Sequence, residues 1–555
     1  MGNFDRIEVA PIEILRQFPA VKKLLCIALL VLGGCGGSGG GSNPPDNGNN
    51  PPPLAPVVFK ELAGTAPADV ALGQPLNVEW VLPANATIAT VSLDAQLQAG
   101  PTASQTTCSA SAGALAANAT SASITLPNTC ASKTVKNVQL KVTVEAATGQ
   151  RTSATRSFVA PAAPENFAPL RFDLPVLKIL TDNLAPIVSK DSYIAGQMTL
   201  ESNVVGTPAV VGGLQIRGRG NSTWGMPKKP YRVKLTDKQS LLGMPSSKDW
   251  VLLANYSDKT LMRNWLAMQL GTDLGLAWSP RSQFVEVHVN NQYQGVYLLM
   301  ENIKVASNRV NIDELAAADV AADKITGGYL LEVDFRQDGH TMFTDIDELP
   351  IVFQSPEEPA AAQEAYIKGY IDEFESVLHS GNFADPATGY AAYIDVDSFA
   401  RWFIVNELFR NVDARMWSSC WMYKPRGGKL FMGPLWDFDI SAGNIDYNDA
   451  FKTAGWWIHD GPWFERLFQD PAFTARVRQI WNEMKTDELP AMLGSIPPRA
   501  LALQQSQLNN FERWPILETY VWPNNRIPGS FAGEVEYLST WLTARAAWMD
   551  TQFNP

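Results

Sequence analysis

Cysteine and histidine are scarce in this chain, with five and four residues among 555. The histidines, His288, His340, His379 and His459, are scattered, and neither an HExxH pair nor a Cys/His cluster occurs. A zinc site with ordinary ligand spacing is therefore disfavoured. No Gly-x-Ser-x-Gly elbow is present, which argues against a typical α/β-hydrolase. Runs of Lys/Arg are missing and the net charge is −12, so no nucleic-acid partner is expected. The apolar run at 24–32 is too short to cross a membrane as a permanent helix.

What is present is a globular composition, 46% apolar and 18% charged. The length exceeds what one hydrophobic core organises, so two or more domains are expected. Lys22 and Lys23 precede the 24–32 run, and Gly33-Gly34-Cys35 follows it. That is the layout of a signal peptide. Leu32-Gly33-Gly34-Cys35 resembles a bacterial lipobox, which would place a lipid on Cys35. The alternative is an ordinary cleaved signal peptide with a chance cysteine. Residues 1–35 thus read as a lipoprotein signal peptide, and 36–56, Gly/Ser-rich and then Pro-rich, as a linker. The expected location is extracytoplasmic and membrane-anchored, at the outer membrane or cell surface.

Residues 57–162 are rich in Ala, Thr, Val and Ser and carry alternating segments at 76–81 and 138–144. They suggest a small all-β immunoglobulin-like sandwich. Cys108 and Cys130 would close a loop of about two dozen residues, worth ~3 kcal/mol as a disulfide; two buried thiols are the alternative. Cys420 stands alone and reads as core filler.

Residues 166–555 begin with β patterns, such as 176–180, and end with helical ones. Apolar spacing predicts helices over 360–379 and 396–409, the latter with Asp397 as N-cap, and a helical pair over 463–484 broken at Pro471. A β-rich half followed by an α-rich half indicates a two-lobed α+β domain.

Three constellations carry chemistry. Ile216-Arg217-Gly218-Arg219-Gly220-Asn221-Ser222-Thr223-Trp224 runs on to Lys228-Lys229-Pro230-Tyr231-Arg232-Val233-Lys234-Leu235. Glycines admit an anion to backbone N–H groups and the cations neutralise it, so the stretch reads as a polyphosphate cradle. It matches neither a Walker A loop nor a Rossmann fingerprint. A basic surface hairpin is the plainer alternative. Strand alternation puts Arg232 and Lys234 on one face. The second constellation, 284–304, predicts a β-hairpin turning at Asn290-Asn291 and ending at Glu301, a carboxylate able to orient a phosphate-binding lysine. In the third, a helix ends near Asn411-Val412-Asp413, a hairpin follows with a turn at Pro425-Arg426-Gly427-Gly428, and Trp436-Asp437-Phe438-Asp439 comes directly after. Protein kinases use this order, one Asp for the acceptor hydroxyl and a second acidic motif for the metal. Asp437 and Asp439, at i and i+2, point the same way on an extended strand and suit Mg²⁺. Solvated or capping aspartates are the alternative.

RGRGNSTW with KKPYRVKL, WVLLANYSDKTLMRN at 250–264, YLLMENIKV and the closing WDFD together resemble the CotH family of spore-coat and secreted kinases. The resemblance covers about 170–550. It implies an atypical, two-lobed protein-kinase-like fold over 166–555, ATP with Mg²⁺ or another divalent cation, and Ser/Thr phosphorylation of secreted or surface proteins. By motif match Asp413 is the catalytic acid and Asp437, with Asp439, the metal acid. Arg217, Arg219, Lys228, Lys234 and Glu301 fall to the cofactor. One position departs from the protein-kinase pattern, since Ser418 stands where the catalytic loop ordinarily has Asn. The competing expectation is a non-catalytic surface binding or adhesion module with a degenerate kinase-like fold.

Overall fold

The computed structural model describes residues 55, 57–59, 75–84, 86–99, 106–125, 135–159, 171–204 and 206–555. The signal peptide, Cys35, most of the linker and Cys130, and with it the expected bridge to Cys108, lie outside the described residues. Among the described residues no helix is long and apolar enough to cross a membrane.

The first strands are β1 (Val58–Phe59), β2 (Pro75–Val81), β3 (Ile88–Ala99), β4 (Thr106–Leu115), β5 (Ser121–Thr125), β6 (Val135–Ala146) and β7 (Arg151–Val159). They form a three-stranded sheet, β1-β2-β5, and a four-stranded sheet, β4-β3-β6-β7. Both sheets contribute to one core. Val78, Trp80 and Ile124 come from the first, and Val91, Leu93, Leu140, Val142 and Val144 from the second. The period-2 alternation of the sequence produces this directly, because successive side chains leave a strand on opposite faces.

The next seven strands close into a barrel, which the sequence did not announce. They are β8 (Val176–Thr181), β9 (Ile194–Glu201), β10 (Val210–Gly218), β11 (Tyr231–Gln239), β12 (Ser247–Leu253), β13 (Ser282–Val289) and β14 (Gln292–Glu301), in the order β10-β11-β12-β14-β13-β8-β9. Alternation marks the faces of each strand, but closure is settled by the parallel pairing of β8 with β13, which joins segments a hundred residues apart. Asn290 and Asn291 both adopt left-handed φ, 51° and 64°, as a two-residue hairpin turn of the primed type requires. The barrel interior is apolar: Ile179, Met198, Leu214, Ile216, Val233, Trp250, Leu252, Tyr297 and Leu299 meet there. On β12 and β14 the alternate residues Val251, Leu298 and Met300 are also buried, in the main core outside the barrel. Burial on both faces explains why these two strands read as unbroken apolar runs.

A one-turn helix, α1 (Ser222–Gly225), lies between β10 and β11, and α2 (Arg263–Asp273) follows β12 and buries Leu266, Ala267, Met268 and Leu270 in the main core. A second sheet, β16-β17-β15-β18-β19, follows from β15 (Tyr329–Val333), β16 (Thr341–Phe343), β17 (Pro350–Ser355), β18 (Cys420–Lys424) and β19 (Phe431–Met432). The remaining helices are α3 (Ala361–Leu378), α4 (Val396–Phe409), α5 (Phe464–Leu467), α6 (Pro471–Met484), α7 (Glu488–Ala502), α8 (Gln504–Arg513) and α9 (Phe531–Phe553). The chain is thus a mixed α+β protein. α4 is capped two residues earlier than expected: Asp395, not Asp397, accepts from Ser398 N at 2.8 Å. Asp397 sits inside the first turn and is held by Arg476 Nε and Nη2, both at 2.7 Å. α6 begins at Pro471 behind the Asp470 cap, whose carboxylate accepts from Ala472 N at 2.9 Å, since Pro tolerates the first helical position and not the interior.

Candidate active site

Strand β11 is where the cleft starts. Tyr231, Val233 and Leu235 point into the barrel, so Arg232 and Lys234 are turned outward. β10 pairs with β11 so that Arg217 lies directly opposite Arg232. All three cations line a cleft of about 1590 Å³, together with Arg219, Gly220, Glu332, Asp334, Arg336, Asp413, Trp436, Asp437 and Asp439.

The turn between β10 and β11 uses its glycines differently from the sequence expectation. A Cβ on Gly218 would lie 2.3 Å from the Trp224 ring, and one on Gly220 would lie 2.1 Å from Thr223 Oγ1, at φ +81°. The missing side chains therefore make room for the loop's own Trp224 and Thr223. The cations, more than the glycine backbone, face the cleft. Arg219 lies over the Trp436 ring, 5.3 Å from its centroid. Burial pulls its guanidinium below the ordinary value, and Asp437 opposes that pull. The Asn221 amide, turned so that its oxygen faces Arg336, accepts from Arg336 Nε at 3.2 Å. The basic turn thus reaches across the cleft to the acidic side.

The acidic side is built from two segments. α4 ends at Arg410 in a left-handed cap, φ 46°, and the chain turns through Asn411 to Asp413. After β19, Asp437 is held at φ +64°, a conformation that Asp tolerates better than most residues. Neighbours hold it there. Asn411 Nδ2 donates to Asp437 O at 3.2 Å, and Phe438 N donates to Asn264 Oδ1 at 2.8 Å. Burial, then the charge of Asp437, raises Asp413 to about 7, with Arg336 opposing. Asp439 is pushed well above the ordinary carboxylate range by burial and then by Asp437, Asp258 and Asp413. The mutual repulsion of these carboxylates is the kind that a bound cation relieves. Asn411 Oδ1, buried and without a hydrogen-bond partner, adds an oxygen donor next to Asp437. Among the described residues no three Asp, Glu, His or Cys side chains are grouped tightly enough to ring a metal unaided. Mg²⁺ commonly takes only one or two carboxylates and completes its shell with phosphate oxygens and water, so the donor set fits an ion shared with a phosphate.

The remaining expected residues separate into two kinds. Lys234 is exposed on the cleft wall. Lys228 also borders the cleft, but its ammonium is buried and engaged: Nζ donates to Val296 O and, at 2.8 Å, to Asn510 Oδ1. Burial pushes it well below its ordinary value. Glu301 is not among the cleft-lining residues. Its carboxylate is fully buried between Arg281 at 2.9 Å and Arg309 at 2.5 Å, while Lys304 pairs with Asp249 at 2.7 Å. The expected lysine–glutamate pair is therefore replaced by a glutamate–arginine cluster. Cys420 is buried, as expected of core filler.

Among the cleft residues that escaped the sequence reading are Glu332, Asp334 and Arg336. They lie on or just after β15, whose neighbour β18 follows the Asp413 loop. Burial, then Asp334 and Asp437, raises Glu332 to about 8. Gln354 Nε2 donates to Glu332 Oε2 at 2.8 Å. The signal was the alternation Glu332-Val333-Asp334-Phe335-Arg336, the same acid-x-acid spacing as in Trp436–Asp439.

A family model described as CotH kinase protein matches residues 216–549, well over half of the chain. The chain belongs to the CotH family. It is similar to the inner spore coat protein H of Bacillus subtilis (strain 168), with 24% identity over 234 residues. That match covers 41% of this chain and 59% of the relative's length. The CotH match begins at Ile216, inside β10, and includes the basic turn, Asp413, Asp437 and Asp439. The strands of 58–159 lie outside it.

Proposed function

We propose that this CotH-family chain is a protein kinase acting outside the cytoplasm, transferring the γ-phosphoryl group of ATP to Ser or Thr hydroxyls of secreted or surface proteins. The observation that carries the reading is the meeting of Asp413, Asp437 and Asp439 with Arg219 in one cleft. On this reading the basic turn and the helical part are two lobes of a kinase-like domain. Asp413 orients the acceptor hydroxyl and takes its proton as the oxygen–phosphorus bond forms. The bond from the γ-phosphorus to the β–γ bridging oxygen breaks, and ADP leaves. Asp437 and Asp439 hold a divalent cation, which neutralises charge on the transferring group when bound. Arg219, stacked on Trp436, supplies fixed positive charge on the opposite wall. The two sheets of 58–159 serve as an immunoglobulin-like spacer, and a lipid on Cys35 tethers the whole to a membrane. The relative's printed name, a spore coat protein, supports an extracytoplasmic setting.

The test is incubation with radiolabelled ATP, Mg²⁺ and candidate surface proteins, followed by mass spectrometry of phosphosites. Wild type should label Ser or Thr, while Asp413→Ala and Asp437→Ala should each lose transfer with nearly unchanged melting curves. Full activity in both variants defeats the assignment. Absence of labelling in wild type, with no thermal shift at millimolar ATP and Mg²⁺, leaves the binding-module reading in its place.

A further inference from the structure

Arg217 and Arg232 face each other directly across the β10–β11 pair. Like charges opposite one another weaken a strand pair, so an uncompensated arginine pair calls for a reason. Neither guanidinium has a hydrogen-bond or ion-pair partner among the described residues, and the Nε atoms of both are buried and orphaned. Arg217 meets only an aromatic face, that of Tyr193, at 5.1 Å. The acid nearest in register, Asp249, stands opposite Lys234 on β12 but is paired with Lys304 at 2.7 Å. Arg219, two residues on from Arg217, feels both the positive charge of Arg232 and the negative charge of Asp437. The charges therefore form a sequence along the cleft, from the carboxylates through Arg219 to the Arg217–Arg232 pair and then Lys234.

We infer that Arg217 and Arg232 form a two-arginine clamp for phosphate oxyanions, and that the phosphate chain of the nucleotide fills it. Arg219 then attends the metal-side end of that chain, and Arg232 joins Arg217 as a phosphate-binding residue, a role the family resemblance did not assign to it. This rests on the nucleotide reading above. A ligand with two or more linked phosphates offers the charge that both guanidinia lack, whereas a nucleoside monophosphate offers less of it. An anion between the arginines also relieves their mutual repulsion, so the clamp costs stability when empty and returns it when filled.

The experiment is calorimetric titration of the protein with ATP, AMP, inorganic tripolyphosphate and a phosphoserine peptide, for wild type and Arg232→Gln, with melting curves of both unliganded proteins. Arg232→Gln should lower affinity for ATP and tripolyphosphate roughly tenfold or more, the scale of a lost charge-assisted hydrogen bond. AMP affinity should change far less, and the unliganded variant should melt no lower than wild type. Wild-type affinity in the variant, an equal loss for AMP and ATP, or a lower melting temperature without ligand overturns the clamp. Displacement of tripolyphosphate by the phosphopeptide but not by ATP overturns the nucleotide as its occupant. The kinase reading fails separately: if tripolyphosphate binds through Arg232 and no protein is ever labelled, the clamp stands and the transfer reaction does not.

Discussion

Ser418 donates its hydroxyl to Asp334 Oδ1 at 3.1 Å and accepts from Arg336 Nη1 at 2.5 Å. The residue at the position of the kinase asparagine thus acts here by fastening the Asp413 loop to the end of β15. The metal ligation proposed above would therefore rest on other oxygens, Asp439 on the cleft wall and the buried, unpartnered Asn411 Oδ1 behind it.

Ser418→Ala should accordingly destabilise the fold by about 1–3 kcal/mol, the cost of leaving the buried Asp334 carboxylate short of a hydrogen bond. Urea denaturation would measure it. A variant as stable as wild type shows that the bridge is dispensable.

Lys228→Met should separate structure from binding. Lys228 is buried, ties β14 to α8 through Val296 O and Asn510 Oδ1, and lies 4.7 Å from the Tyr297 ring centroid. Its loss should reduce stability by about 1–3 kcal/mol and leave nucleotide affinity within about twofold. A large fall in affinity without a change in melting would return Lys228 to the phosphate site.

The end of α4 depends on Glu407. Its carboxylate accepts from Trp457 N at 3.0 Å, Ile458 N at 2.7 Å and His459 N at 2.9 Å, and pairs with Arg545 of α9 at 2.5 Å, with both side chains fully buried. Glu407→Ala leaves Arg545 charged and uncompensated and should cost about 3–5 kcal/mol. Chemical denaturation in which the variant loses less than about 1 kcal/mol would contradict this.

Stability should also change with pH through Glu534. Burial raises its carboxyl from 4.5 to about 7, against the charges of Arg263 and Lys259. Lys259 Nζ stands 3.8 Å away, and burial lowers it to about 8. A raised carboxyl favours the folded state in its neutral form. Its contribution is complete below about pH 4.5 and is lost as pH rises through about 7, at most roughly 3 kcal/mol. Lys259 works in the opposite sense, and its contribution grows only above about pH 8. Glu534→Gln should therefore flatten the decline in melting temperature between pH 5 and 7.5. An unchanged slope would locate that decline in other groups.

Local features were legible because they depend on neighbours in sequence. The Asn290-Asn291 turn follows from backbone preference, and the break at Pro471 from a missing N–H. Helix α4 has the expected span, although its cap is Asp395, while Asp397, two residues on and within the first turn, is held by Arg476 instead. The outward face of Arg232 and Lys234 was readable from period-2 alternation. The acidic motifs were legible as types and spacings, and their order suggested a shared task.

By itself, the sequence determined which side of each strand is apolar, where the main helices run, and which residues have the chemistry for phosphate and metal. Tertiary structure alone decided the partners. Glu301 and Lys228 carry the right chemistry, but packing gave one to Arg281 and Arg309 and the other to Asn510, nearly three hundred residues along the chain. The same long-range packing set Glu332 near Asp437 and Asp334 near Asp413 and closed seven strands into a barrel. The physical reason is one of range. Alternation and capping act over a few residues, whereas the pairing of buried charges is chosen by which surfaces the assembled core leaves face to face.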